Sequence, residues 1–134
     1  MQATEIIAEG GYDSWDEAKL NEIKKGEFSE AIGEALYENA EIRLWEIQLR
    51  PSERIPFRRH RNNYSCTSFS DGLLVSRNIN GQVVLLRLSK GDQFYWECIS
   101  NEMTHDLENV GESTIKVTVL EEKAREHCEV DPLF

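Results

Sequence analysis

Four arginines surround one histidine in SERIPFRRHRNNYSCTSFSDG, residues 52–72, in a chain whose 25 acidic residues outnumber its 15 lysines and arginines. Arg58 and His60 stand two positions apart, so on a strand both side chains leave the same face. A second histidine, His105, lies in MTHDLENVGESTIKVTVL with Asn109 four places further on. Imidazoles brought together from different strands can ligate a metal, move a proton or accept a hydrogen bond. A guanidinium does something else: it stays charged, cannot ligate, and grips a carboxylate or phosphate through its paired N–H donors. Glu102, Asp106 and Glu108 flank His105 and read either as acid–base groups or as solvated surface. No glycine-rich phosphate loop or dinucleotide fingerprint is present.

Strands must position these groups. From Gly33 onward the hydrophobic period is two, as in EIRLWEIQLR, where Trp45, Ile47 and Leu49 share one face. GLLVSRN, QVVLLRLS, DQFYWEC, EMTHDLEN and STIKVTVLE follow, separated by Asp71-Gly72, Asn80-Gly81, Lys90-Gly91 and Val110-Gly111. Asn-Gly between two β-rich runs is a strong hairpin signal. About nine short strands at this spacing predict an all-β antiparallel sandwich or barrel. The earlier segment DSWDEAKLNEIKKGEF predicts a short surface helix over about 14–25, with Ser14 as N-cap, Glu17 completing a capping box and Gly26 as the stop. The expected organisation is an N-terminal extension with that helix (1–30), a β-barrel (31–122) and a polar tail (123–134), in which Leu133 and Phe134 could meet a partner.

Composition limits the function classes. At 134 residues the chain suits one domain, and a formal charge of −10 disfavours nucleic acid and anionic membranes. The start, MQATEIIAEGGYDSW, lacks the apolar run of a signal peptide, and no stretch is apolar enough to cross a membrane. Cys66, Cys98 and Cys128 are an odd set without Cys-x-x-Cys spacing, which suggests free thiols in a reducing compartment and a cytoplasmic location. Cys128 beside His127 in the tail is expected to be inert.

The spacing of these residues resembles the cupin superfamily of small jelly-roll barrels. That family's first motif is Gly, five residues, His-x-His, three or four residues, Glu, six residues, Gly. Anchored on His60, it places Ser52 at the first Gly, Arg58 at the first His, Ser65 at the Glu and Gly72 at the last Gly. The second motif opens at Gly91 and closes with His105 and Asn109, without the family's Pro-x-Gly and with three extra residues in WECISNEM. The resemblance covers roughly residues 41–121. It implies an antiparallel jelly-roll (double-stranded β-helix) barrel with a short N-terminal helix.

Cupins typically hold a divalent transition metal with three His and one Glu; here the resemblance leaves only His60 and His105, with arginine at a ligand position. The sharper expectation is a protein without a tightly bound metal, binding a small organic anion such as a carboxylate through Arg58, His60, His105 and Tyr95, with Arg43, Arg59 and Arg61 adding positive field. Two alternatives stay open. One is a metal-dependent oxygenase or isomerase using His60 and His105, completed by Glu97 or Glu102. The other is a structural homodimer without pocket chemistry, its Ala31–Glu38 segment crossing to the partner. In the bland reading, Arg58 pairs with Glu46 or Glu97, Arg59 and Arg61 are solvated, and the histidines bond Asn109 or Tyr95. With Ser65 facing inward, Cys66 points away, while Phe94 and Trp96 face the core.

Overall fold

The computed structural model describes residues 1–97 and 103–123. Cys98, Glu102, His127, Cys128, Leu133 and Phe134 lie outside the described residues. The elements run β1 (Gln2–Ile7), α1 (Glu17–Lys25), β2 (Glu34–Glu38), β3 (Ile42–Leu49), β4 (Arg54–His60), β5 (Tyr64–Ser68), β6 (Gly72–Arg77), β7 (Val83–Leu88), β8 (Gln93–Trp96), β9 (Met103–Asn109) and β10 (Ile115–Glu122). They form two five-stranded antiparallel sheets, ordered β1-β7-β6-β9-β4 and β2-β3-β10-β5-β8. Period-two patterning explains the packing: on β10, Ile115, Val117, Val119 and Glu121 are buried while Lys116 and Leu120 face out. Ile47, Leu49, Leu74, Leu88, Ile115, Val117 and Val119 fill the space between the sheets.

The turns behave as their residues require. Asn80-Gly81 joins β6 to β7, with Gly81 at φ +95° and its N–H donating to Asn78 O (2.9 Å). Between β3 and β4 the chain crosses from one sheet to the other through Arg50-Pro51-Ser52-Glu53, closed by Glu53 N–H to Arg50 O (3.0 Å). Pro at the second position and a positive φ at the third define a type II turn, whose third position favours glycine. Ser52 occupies it at φ +69°.

The N-terminal residues do more than cover one end. Gln2–Ile7, not anticipated as a strand, pairs antiparallel with β7 at a sheet edge. The helix starts later than expected because Asp16, not Ser14, caps it: the Asp16 carboxylate accepts from Lys19 N–H at 2.9 Å. Residues 12–15 instead form a turn, with Trp15 N–H on Tyr12 O at 3.0 Å. Gly26 ends the helix in the left-handed conformation (φ +68°), as expected.

A second apolar cluster of Trp15, Phe57, Val75 and Val83, with Leu20 and Ile23, seats this segment on the outer face of the first sheet. A buried ion network reinforces it. Arg54 bonds Glu22 of the helix (2.6 and 3.1 Å) and Asp106 of β9 (2.7 Å), while Arg77 bonds Asp106 (2.9 Å) and pairs with Glu108 (3.0 Å). Asp106 is therefore neither solvated nor in the interior: period two sends it opposite to His105, beneath the helix, and Glu108 pairs with Arg77 on the same outer face.

Candidate functional site

Strand β4 carries Arg58 and His60 inward because of an irregularity. Ile55 and Arg58 both line the interior cavity although an odd number of positions separates them, and the β4–β9 register shifts between them. The extra residue is a bulge at Pro56, which has no N–H to offer a ladder and suits an edge strand. Phe57 and Arg59 consequently face the helix side. Arg59 N–H bonds Ser29 O (2.9 Å), and its guanidinium lies 5.8 Å from the centre of the Phe28 ring, so Arg59 is not simply solvated as expected.

On the facing strand, Arg58 is directly opposite His105, and His60 opposite Met103. The two imidazoles converge as the spacing predicted, their ring centres 4.8 Å apart. Both are buried, each 8% exposed. His105 Nδ1 lies 2.8 Å from Ser76 Oγ and 3.1 Å from the Asp106 carbonyl oxygen. A carbonyl can only accept, so Nδ1 carries the proton and Nε2 is left as a bare lone pair. That Nε2, like His60 Nδ1, is buried without a hydrogen-bond partner among the described residues.

Burial is the main force on both rings. It drives the His60 pKa down to about 3, helped by the neighbouring His105 and Arg58. His105 is likewise lowered by burial, opposed by the Asp106 carbonyl and carboxylate. Both rings are neutral near pH 7.

A cavity of about 80 Å³ lies against these groups, lined by Arg58, His60, Tyr64, Cys66 and His105 and otherwise by aliphatic and aromatic side chains such as Ile47, Leu74, Phe94 and Val119. Arg58 Nη1 donates to Ala31 O at 3.0 Å. Neither expected carboxylate reaches it: Glu46 sits 3.6 Å from Lys116, and Glu97 is exposed. Asn109 does not reach the histidines either. Its amide donates to Leu49 O (2.9 Å) and Ser113 O (2.8 Å) and accepts from Gly111 N–H, pinning the loop before β10.

Several expected positions are corrected. Tyr95 is 52% exposed on the outer face, 3.4 Å from Glu122, because Phe94 and Trp96 take the inward positions of β8 as expected. Inward parity on β5 falls on Tyr64, Cys66 and Ser68, so Ser65 faces out and Cys66 faces the cavity. The family's Glu position, at its three-residue spacing, is then held by Tyr64, whose ring centre is 5.8 Å from His60. Burial raises the Cys66 thiol to about 12, which leaves it inert. Arg43 adds no free field, since it pairs with Glu38 (3.3 Å) and Glu121 (3.5 Å). Arg61 is 3.7 Å from Glu30.

Reasoning from the sequence did not find Glu121, a buried inward carboxylate that accepts from Trp45 Nε1 (2.9 Å) and Asn62 Nδ2 (3.0 Å). Its signal was available, since it continues the alternation of Ile115, Val117 and Val119. Ser76, which orients His105, was also missed.

The donors present do not fit a divalent metal. Among the described residues no three His, Cys, Asp or Glu side chains converge on one point. His60 and His105 offer unpaired nitrogens, but the remaining family positions hold a guanidinium and a phenol. At ~4–6 Å and an effective dielectric of ~20, a guanidinium repels a dication by roughly 6–8 kcal/mol.

Comparison with solved structures gives likenesses over most of the chain. A cupin domain from Bordetella pertussis Tohama I matches 73% of this chain and 98% of its own, at 19% identity and a TM-score of 0.61. A cupin domain from Schizosaccharomyces pombe matches 72% of this chain at 10% identity and a TM-score of 0.53; the match spans 63% of that domain's chain. An uncharacterised conserved protein with a double-stranded β-helix domain from Klebsiella pneumoniae matches 73% of this chain and 84% of its own, at 16% identity and a TM-score of 0.50. No protein-family model and no curated protein matches the sequence. Identities this low speak for architecture and not for activity. Two facing antiparallel sheets, a histidine from each of two paired strands and these likenesses together make the chain a cupin-fold protein.

Proposed function

We propose that the protein binds a small organic anion in the cavity between its sheets, anchored by Arg58, flanked by neutral His60 and His105, and without a tightly bound metal. The observation that carries this reading is Arg58 itself. It lines a buried cavity, bonds one backbone carbonyl, and has no carboxylate within ion-pair distance among the described residues. A guanidinium at the edge of an apolar cavity gains most from a carboxylate, because the paired charge-assisted bonds strengthen as water is excluded. On this reading the two sheets form the jelly-roll barrel implied by the family likeness, which is consistent with consecutive strands β3, β4 and β5 alternating between sheets. The exposed edge strand β2 pairs with β3 of its own chain, and its open side suits a homodimer. Sedimentation at micromolar concentration tests that assembly.

Thermal melting with acetate, 3-methylbutanoate, succinate and phosphate, on the wild type and on Arg58→Gln, tests the anion reading. A bound anion at ten times its Kd stabilises by about 1.4 kcal/mol. For a chain of 134 residues that raises Tm by roughly 5 °C. The expected result is such a rise for at least one carboxylate, lost in Arg58→Gln. Flat melting curves for every anion, or equal shifts in both proteins, would overturn the proposal.

A further inference from the structure

Resting on the anion-binding reading above, we infer that the ligand is a short aliphatic monocarboxylate that also carries a hydroxyl. Three features of the cavity lead there. The first is charge. Among the described residues lining it, Arg58 is the one charged side chain, and His60 stays neutral between its buried neighbours. One guanidinium balances one carboxylate, whereas a dicarboxylate or a phosphate dianion would leave a buried charge uncompensated.

The second is the remaining wall. Apart from Tyr64 and Cys66 it is built of side chains such as Ile47, Leu74, Leu86, Leu107, Val117 and Val119, so the body of the ligand is mostly hydrocarbon. A volume of about 80 Å³ admits a handful of heavy atoms.

The third feature is the lone pair of His105 Nε2. It is buried and unpartnered, and the contacts of Nδ1 with Ser76 and the Asp106 carbonyl fix it as an acceptor. An acceptor left unsatisfied in an apolar interior selects a ligand that brings a donor, and an uncharged hydroxyl is the donor compatible with the single-charge limit. Arg58 and His105 are direct cross-strand partners, which sets their Cβ atoms ~5 Å apart. Both groups line the same small cavity, so carboxylate and hydroxyl belong to one short ligand, as in a 2- or 3-hydroxy acid.

Isothermal titration of the full-length protein with isosteric ligands tests this directly. The set is 2-hydroxy-3-methylbutanoate, 3-hydroxy-3-methylbutanoate, 3-methylbutanoate, 2-oxo-3-methylbutanoate, 3-methylbutanol and succinate, each also titrated into Arg58→Gln. The expected result is that one hydroxy acid binds at least about tenfold tighter than the unsubstituted acid, the oxo acid and succinate. That advantage disappears in His105→Phe, while the wild-type series decides the matter if this variant fails to fold. If carboxylates bind in an Arg58-dependent way without preferring a hydroxyl, or if the oxo acid or succinate binds best, the inference is wrong and the anion reading stands. If the alcohol binds as well as the acids, if no ligand binds, or if Arg58→Gln changes nothing, the anion reading itself falls.

Discussion

Lowering the pH from 7.5 to 5.0 unloads stability through His60, and the size of the effect follows from its burial. In the unfolded chain the imidazole titrates near 6.5, whereas in the folded protein burial, His105 and Arg58 hold it down to about 3. A group whose folded pKa is depressed in this way, and whose charged form is the protonated one, binds its proton preferentially in the unfolded state. Between about 3 and 6.5 the unfolded chain thus carries more protons, and stability rises with pH and falls on acidification. Between pH 7.5 and 5.0 the linkage integral for one such histidine is about 2 kcal/mol. The figure barely depends on the native value, because at pH 5.0 any folded pKa below ~4 leaves the ring neutral.

His105, lowered by the same cause, adds loss of the same sign. Urea unfolding at the two pH values measures it, since 2 kcal/mol moves the midpoint by roughly 1 M for a slope of ~2 kcal/mol per molar. Other groups contribute too: Glu22, held low by Arg54 and the Phe57 N–H against its own desolvation, also loses stability in acid. The decisive quantity is therefore the difference between the wild type and His60→Gln. The variant should lose about 2 kcal/mol less between the two conditions, whatever its stability at pH 7.5. An identical acid loss in both proteins would show that His60 titrates normally, and the picture of a buried neutral pair would be wrong.

Ser52→Gly should stabilise, because relief of ~1–2 kcal/mol of left-handed strain outweighs the ~0.4–1 kcal/mol entropic cost of glycine. A gain of about 1 kcal/mol raises Tm by roughly 3 °C in calorimetry, and an unchanged or lower Tm contradicts the turn assignment. Asp106→Asn removes the fully buried carboxylate shared by Arg54 and Arg77, each of which keeps one partner (Glu22 and Glu108), and should cost about 3 kcal/mol in chemical denaturation, whereas Glu22→Gln, partly exposed, should cost about 1. Comparable losses in the two variants would refute the claim that Asp106 is the hub. Tyr95→Ala should leave carboxylate affinity unchanged by titration, since the ring lies outside the cavity. Elemental analysis of protein purified without chelator should find substoichiometric transition metal, and a full equivalent lost in His60→Ala would reverse the argument from the donor set.

The sequence made the sheets legible because each inward row repeats at period two and the glycine turns punctuate it. It did not make β1 legible, since QATEII carries no buried residue: five of its six positions are exposed, and Ile7 alone, half-buried, packs against the cluster under the helix. The convergence of His60 with His105 was readable only through the family spacing. Alternation counted from Ile55 would have turned Arg58 and His60 outward. On β5 the same counting failed in reverse, assigning the inward place to Ser65 when Tyr64 holds it. Side-chain parity has no memory of the sequence beyond a bulge or a loop, so each strand has to be phased separately.

Phasing also explains how one strand serves two opposed environments. On β9, His105 and Leu107 face the cavity, while Thr104 and Asp106 face the helix. On the helix side Arg54 and Arg77 are paired with Asp106, Glu22 and Glu108. Of the charged side chains on β4 and β9 among the described residues, Arg58 alone lines the cavity, carried there by the bulge at Pro56. Had the strand remained regular, the guanidinium would have joined the helix-side network and the interior would hold Phe57 instead. The single extra residue thus decides whether Arg58 and His60 join His105, which β9 turns inward on its own, at the cavity wall. A local irregularity of the backbone, more than the choice of any one side chain, places the guanidinium and one of the two imidazoles on the cavity wall.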